Sequence, residues 1–284
     1  MFFDYTIRYK SVNTYENPVF EAIWQFLVIP ENNSSQEVVL SNFSNSLKAI
    51  NQYSENGLGF QTIRVHQKKP FSEAIFEAEI KLKKRETNPF GFTTPLSISE
   101  ELEHVNAHGF KIDFEPYLKT TALTYLPEDY KRLFAFDADK YLFGNLLDLN
   151  NWVYLHIYFK TGVTHVGTLL NEIIEKRHGV CQDFTHLFCA IARTNGIPAR
   201  YVSGYLHQGE GFFGDSQMHA WAEVFLPEIG WIGFDPTNNI LANHNHIKVC
   251  HGKDYNDCAP LKGIVFSRGS NQTRYTVEVT HAQQ

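Results

Sequence analysis

The chain has 284 residues, 43% hydrophobic and 20% charged, an ordinary globular composition with enough length for a sizeable core. Its 25 basic and 31 acidic residues leave a net charge of −6, which argues against a broad nucleic-acid surface. No apolar run approaches the roughly 20 residues that cross a bilayer, and the alternating start Met1–Lys10 does not read as a signal peptide. A cytoplasmic protein with no nucleic-acid or membrane partner is therefore expected.

Residues 1–86 read as an antiparallel β-sandwich. Phe3–Tyr9 alternates with period two, and so do runs within Phe20–Ile29, Glu37–Phe43, Gly59–His66 and Ser72–Lys83, each bounded by turn residues. No catalytic cluster lies in this part. Residues 87–137 read as an irregular connection. Asn88-Pro-Phe-Gly is a loop, and Ser99-Glu-Glu-Leu-Glu-His opens a short acidic helix. His104 and His108 have a spacing that could present two metal ligands on one helical face. The Asn-Ala-His-Gly context weakens that helix, and no metal is expected there.

Residues 138–284 read as the catalytic core. Apolar residues between Asp139 and Phe159 recur at helical spacing, with Asn150-Asn151 as a candidate break. Thr168–His178 is a second helix, ended by Gly179. A third helix starts at Cys181 and runs to Asn195-Gly196. Ala199–Leu206, Gln217–Leu226 and Trp231–Phe234 follow as strands, the last two joined by a turn near Pro227. The fold class expected is α+β: a sandwich followed by helices packed on an antiparallel sheet.

Three residues carry the candidate chemistry. A thiol is mostly protonated at neutral pH, whereas its thiolate is the nucleophile. Cys181 at a helix start would meet the positive end of the helix dipole and free backbone N–H groups that can donate to an oxyanion. His219 would take the thiol proton and return it to a leaving amine. Asp235 would bond the other ring nitrogen and fix its tautomer. A hairpin turn near Pro227 brings residues 219 and 235 close to opposition.

The residues alone leave other readings open. Cys181 could be a small core residue, His219 a buried and satisfied histidine, and Asp235 a turn former. Glu223 shares a strand face with His219 and competes for it. Asp183 complements the helix dipole, and Gln182 could line the acyl site. Cys189 reads as core. Free thiols are the default for all four cysteines, with Cys250 and Cys258 as a candidate pair. His244, His246, Cys250, His251 and Cys258 could in principle hold zinc, but their spacing fits no compact zinc pattern. No cofactor or metal is expected.

Four motifs together resemble the bacterial transglutaminase-like superfamily, whose members are often described as candidate cysteine proteases. They are Gly179-Val-Cys-Gln-Asp-Phe-Thr-His-Leu, Gly196-Ile-Pro-Ala-Arg-Tyr-Val-Ser-Gly-Tyr, His219-Ala-Trp-Ala-Glu-Val and Gly230-Trp-Ile-Gly-Phe-Asp-Pro-Thr-Asn. The likeness continues through His246-Ile-Lys-Val and Gly252-Lys-Asp-Tyr-Asn-Asp-Cys-Ala-Pro-Leu-Lys-Gly, with Lys253 where the family usually has Arg. The N-terminal β-domain also resembles the one that precedes this core in the family. The resemblance implies a papain-like core with a triad of Cys181, His219 and Asp235. It also implies a thioester route on a peptide or protein amide, with water or an amine as acceptor; hydrolysis is the simpler outcome. Tyr205, Asp254 and Tyr255 are candidates to line the cleft. The natural substrate and the oligomeric state are not legible.

Overall fold

The computed structural model describes residues 1–207 and 217–281. The chain opens with six strands: β1 (Phe2–Val19), β2 (Glu21–Phe26), β3 (Gln36–Asn45), β4 (Asn51–Glu55), β5 (Gln61–Gln67) and β6 (Phe71–Arg85). Period-two alternation explains most of them. In β1, Tyr5, Ile7 and Tyr9 are buried, while Arg8 and Lys10 face outward into ion pairs with Glu278 and Glu77. The strand β4 has no apolar alternation to announce it. It is a polar, mostly exposed edge strand held by β5 alone.

Helices α1 (Ile98–Asn106), α2 (His108–Asp113) and α3 (Glu115–Leu118) occupy the connection. Ser97 caps α1 in a reciprocal box with Glu100. His104 and His108 fall on two different helices, so their spacing does not put them on one face. Buried Glu101 accepts from Leu142 N at 2.9 Å and so caps the next helix, α4 (Leu142–His156). That helix runs unbroken through Asn150 and Asn151, contrary to the break expected there. Both asparagines exchange side-chain hydrogen bonds with Asn239, which fastens the turn after Asp235 to α4.

A short pair, β7 (Tyr158–Phe159) and β8 (His178–Gly179), brackets α5 (Leu170–Lys176). The left-handed residue ending α5 is Arg177, with φ of 52°, not the expected Gly179. Next come α6 (Cys181–Thr194), β9 (Ala199–Leu206), β10 (His219–Leu226), β11 (Gly230–Asp235), β12 (Ile240–Leu241), β13 (His246–Gly252) and α7 (Tyr255–Cys258). These strands form one antiparallel sheet in the order β12-β11-β10-β9-β13, with α6 packed on β9 and β10.

The chain then returns to its beginning. Strands β14 (Leu261–Phe266) and β15 (Asn271–His281) pair with β2 and β1. The sandwich is thus two four-stranded sheets, β15-β1-β6-β3 and β14-β2-β5-β4. A catalytic core running to residue 284 is therefore corrected: the last two strands complete the sandwich, because their ladders need the free edges of β1 and β2.

Two apolar clusters hold the molecule together. In one, Phe184, Leu187 and Phe188 of α6 pack with Val224 and Phe234 of the sheet. In the other, Tyr201, Tyr205, Ile247 and Val249 join the sandwich core. Polar ties cross the same junction. Tyr205 donates to Val28 O at 2.7 Å, and Gln36 bridges both backbone groups of Lys248. Both parts are thereby fixed against each other.

Candidate active site

The start of α6 is built by its neighbours. Val180 is extended and Cys181 is the first helical residue. Asp183, fully buried, accepts from Val180 N at 2.8 Å and from the Thr164 hydroxyl at 2.6 Å. Burial pushes its carboxyl pKa up, although both hydrogen bonds work the other way. A Cβ on Gly179 would lie 2.7 Å from Asp183 Cβ, so the close approach of these two residues requires glycine. As at any helix start, the first N–H groups, those of Cys181 and Gln182, have no intrahelical acceptor.

Cys181 is half-buried, whereas Cys189, Cys250 and Cys258 are buried; all four are free thiols. His219 opens β10 and Asp235 closes β11, joined by a ladder in which Ala222 faces Phe234. His219 Nε2 lies 2.8 Å from Asp235 Oδ2, with both side chains fully buried. Nε2 is thus taken. Nδ1 has no protein partner of good hydrogen-bond geometry, and the thiol that interacts with the ring is that of Cys181. Burial works against a charged His219. The Asp235 carboxylate more than offsets that burial, and Cys181 adds in the same direction, raising the ring pKa to about 10.

Asp235 accepts five hydrogen bonds. Thr237 N and Asn238 N bond Oδ1, while His219 Nε2, His246 Nε2 and Asn238 Nδ2 bond Oδ2. Burial disfavours this anion, yet its two histidine partners hold its pKa far below the usual carboxylate range.

His246 is the partner that sequence reasoning did not place. It lies 3.2 Å from Asp235 Oδ2 and is buried; burial also keeps it neutral by lowering its pKa. Asn243 N donates to His246 Nδ1 at 3.2 Å, so the proton of the neutral ring sits on Nε2 and points at Asp235. His219, Asp235 and His246 offer ligand atoms within 4.8 Å of one another, a spacing a metal could bridge. A protonated Nε2 has no lone pair for a metal, so the hydrogen-bonding pattern fits an ionised carboxylate held by two ring donors better than a ligand set. The other candidate zinc ligands are dispersed: His244 stacks on Phe3, His251 meets Arg200, and Cys250 and Cys258 lie together in the core. Trp221 lies beside both histidines, at 6.3 Å from His219 and 5.2 Å from His246 between ring centroids. It fits against Gly204, where a Cβ would meet its ring at 2.6 Å.

Glu223 is not the rival partner of His219. It accepts from Arg200 at 2.6 Å and from Lys248 at 2.7 Å, two places further along the strand face. Of the other predicted residues, Gln182 and Tyr255 line the cleft at Cys181. Gln182 also donates to Val166 O at 3.4 Å, tying down the loop before α5. Tyr205 and Asp254 do not line it. Tyr205 is a core residue whose hydroxyl serves Val28, and Asp254 caps α7 by accepting from Asn256 N. The cleft holds about 270 Å³ and contains both Cys181 and His219. A larger hollow of about 830 Å³ between β3 and β4 contains none of the three central residues.

A cysteine at a helix start, facing a histidine and carboxylate on an antiparallel sheet, is the arrangement of the papain-like class. Residues 132–236, which include all three, match the family model described as the transglutaminase-like superfamily. An uncharacterized protein of Mycobacterium bovis is 39% identical over 135 residues, 44% of this chain and 43% of that one. A protein-glutamine gamma-glutamyltransferase of Pseudomonas aeruginosa is 34% identical over 74 residues, 24% of this chain and 11% of that one. The chain thus spans less than half the length of these curated relatives. A solved structure of a candidate cysteine protease from Cytophaga hutchinsonii shares the fold with a TM-score of 0.78 at 20% identity, covering 100% of this chain and 92% of its own. Among the described residues no helix is long and apolar enough to cross a membrane.

Proposed function

We propose that the chain is a cysteine-dependent acyl-transfer enzyme that hydrolyses peptide, glutamine or isopeptide amides through a thioester. The observation that carries this reading is the arrangement at Cys181: a helix-start thiol beside a histidine bonded to a buried carboxylate at 2.8 Å. His219 takes the thiol proton, and the sulfur bonds to the amide carbon. The Cys181 and Gln182 N–H groups donate to the oxygen that becomes negative, a contribution on the order of 10²–10³ in rate per donor. The C–N bond breaks and the amine leaves with the proton from His219. His219 then removes a proton from water, which attacks the thioester. The C–S bond breaks, the carboxylate product leaves, and Cys181 recovers its proton. No cofactor is needed for this sequence.

Hydrolysis is preferred because water is always present, whereas transfer requires a site that excludes water and admits an amine. Transfer to an amine is the second reading. It is favoured by the name of the Pseudomonas relative, which shares 34% identity over 74 residues. A cytoplasmic setting is supported by four unpaired thiols, two of them neighbours in the core. The test is a mixed peptide pool incubated with the protein, with and without a primary amine, and read by mass spectrometry. Gain of water with loss of an amine marks hydrolysis, and gain of the added amine marks transfer. Either product must vanish with Cys181→Ala. Products that persist in that variant, or no product from any amide, would overturn the proposal.

A further inference from the structure

The cleft at Cys181 is not built by the catalytic sheet and helices alone. Tyr9 of β1 and Tyr275 and Val277 of β15 line it from the sandwich side, opposite Tyr201 and Tyr255. In the β1–β15 ladder Tyr9 faces Val277 and Ser11 faces Tyr275, so these side chains leave one face of the sheet as neighbours. The Tyr9 and Tyr275 rings lie 6.4 Å apart. Tyr9 is 2% exposed, and its hydroxyl meets the Ser11 hydroxyl; no other protein group of good hydrogen-bond geometry reaches either. Two facing hydroxyls can use only one of their O–H donors on each other, so one buried donor is left for a bound group to satisfy. Among the described residues, the lining contains no aspartate, glutamate, lysine or arginine.

We propose that this wall selects the substrate: it receives an uncharged aromatic or bulky aliphatic side chain next to the scissile amide. The Tyr9 hydroxyl then bonds a polar atom of the bound peptide. This inference rests on the acyl-transfer reading for the site, and it adds the substrate class. A volume of about 270 Å³ suits one large side chain with its amide rather than a long peptide. A charged side chain entering the same space would lose its hydration and meet no counter-charge from the described residues. The wall also gives the sandwich a part in recognition.

Binding can be measured apart from turnover. Fluorescent peptide amides that differ only at the residue beside the amide (Phe, Leu, Ala, Lys or Glu) are titrated against the Cys181→Ala protein by polarisation. The Phe and Leu peptides should bind at least about tenfold more tightly than the Lys and Glu peptides, a difference of ~1.4 kcal/mol. Tyr275→Ala and Val277→Ala, added singly and checked for an unchanged melting curve, should each shrink that ratio at least about threefold. Tyr9→Phe should weaken every peptide alike. Equal affinities across the series, a preference for charge, or a ratio untouched by both wall variants would overturn the proposal. Alkylation of Cys181 in the unmodified protein reports separately on the thiol. Fast alkylation with no ranking of peptides sinks the wall alone. A ranking with a sluggish thiol keeps the wall and sinks the acyl-transfer reading.

Discussion

Asp235 spreads five hydrogen bonds over two oxygens, and Oδ2 is shared by His219, His246 and Asn238. In the proposed chemistry His246 is a positioning residue: it touches no reacting atom but bonds the acid that orients His219. Replacing it with Phe removes one donor from Asp235 and raises the carboxyl pKa. A carboxylate with one donor fewer holds the His219 proton more tightly, so the basic limb of the pH–rate profile should move to higher pH, with a loss on the order of tenfold in kcat/KM. His246→Gln retains an N–H and should recover part of that loss; a profile identical to that of the parent in both variants would refute the role. The same pair makes a pH-dependent contribution to stability. The His219 pKa is raised, so its share is complete below the unfolded value of about 6.5 and is lost as pH rises through about 10. The Asp235 pKa is depressed, so its share is complete above the unfolded value of about 3.9 and is lost as pH falls through the folded one. Chemical denaturation of Asp235→Asn against the parent should show a gap of about 3–5 kcal/mol, widest between roughly pH 4 and 6.5. A gap that stays constant to pH 10 would contradict the pairing. His246 was poorly legible in the sequence because its partner lies across the sheet. Only the folded sheet brings the start of β13 to the end of β11.

At the scale of elements, α6 and the β10–β11 hairpin were the most legible parts. Phe184, Leu187, Phe188 and Ile191 repeat at helical spacing, and Pro227 to Gly230 punctuates two short apolar runs, so both signals are local. The stop of α5 was misread because Gly179 is needed for contact with Asp183, not for a left-handed turn. That contact makes a sharp prediction. Gly179→Ala must push Asp183 away from Val180 N and loosen the first turn of α6. Loss of about 1–3 kcal/mol is expected, as for other overpacked sites, with slower labelling of Cys181. Gly144→Ala, inside α4 where nothing lies within 4 Å of the added methyl, is the control: it should raise stability by up to about 1 kcal/mol through helix propensity and leave Cys181 labelling unchanged. Unchanged stability in Gly179→Ala would mean that the helix start tolerates displacement.

At the scale of the molecule, the chain closes on itself. Its last strands complete the sheets begun by its first, and β15 carries two of the residues that wall the cleft. Sequence reasoning missed this because pairing across 235 to 276 residues, from Phe26 with Leu261 to Tyr5 with His281, leaves no local trace. Removing residues 261–284 should therefore damage the N-terminal sandwich rather than trim the catalytic core. The shortened protein should expose the β1 and β2 edges and aggregate or yield rapidly to protease. A truncated chain that keeps the parent's melting curve would contradict that topology. The proposed chemistry rests on cooperation between Cys181, His219 and Asp235. Its most direct measurement is the iodoacetamide alkylation rate of each cysteine at neutral pH, read by peptide mass spectrometry, in the parent and in His219→Ala. Cys181 should label far faster than Cys189, Cys250 and Cys258, and His219→Ala should slow it by about tenfold or more. Equal labelling of all four thiols, or an unchanged Cys181 rate without the imidazole, would contradict it.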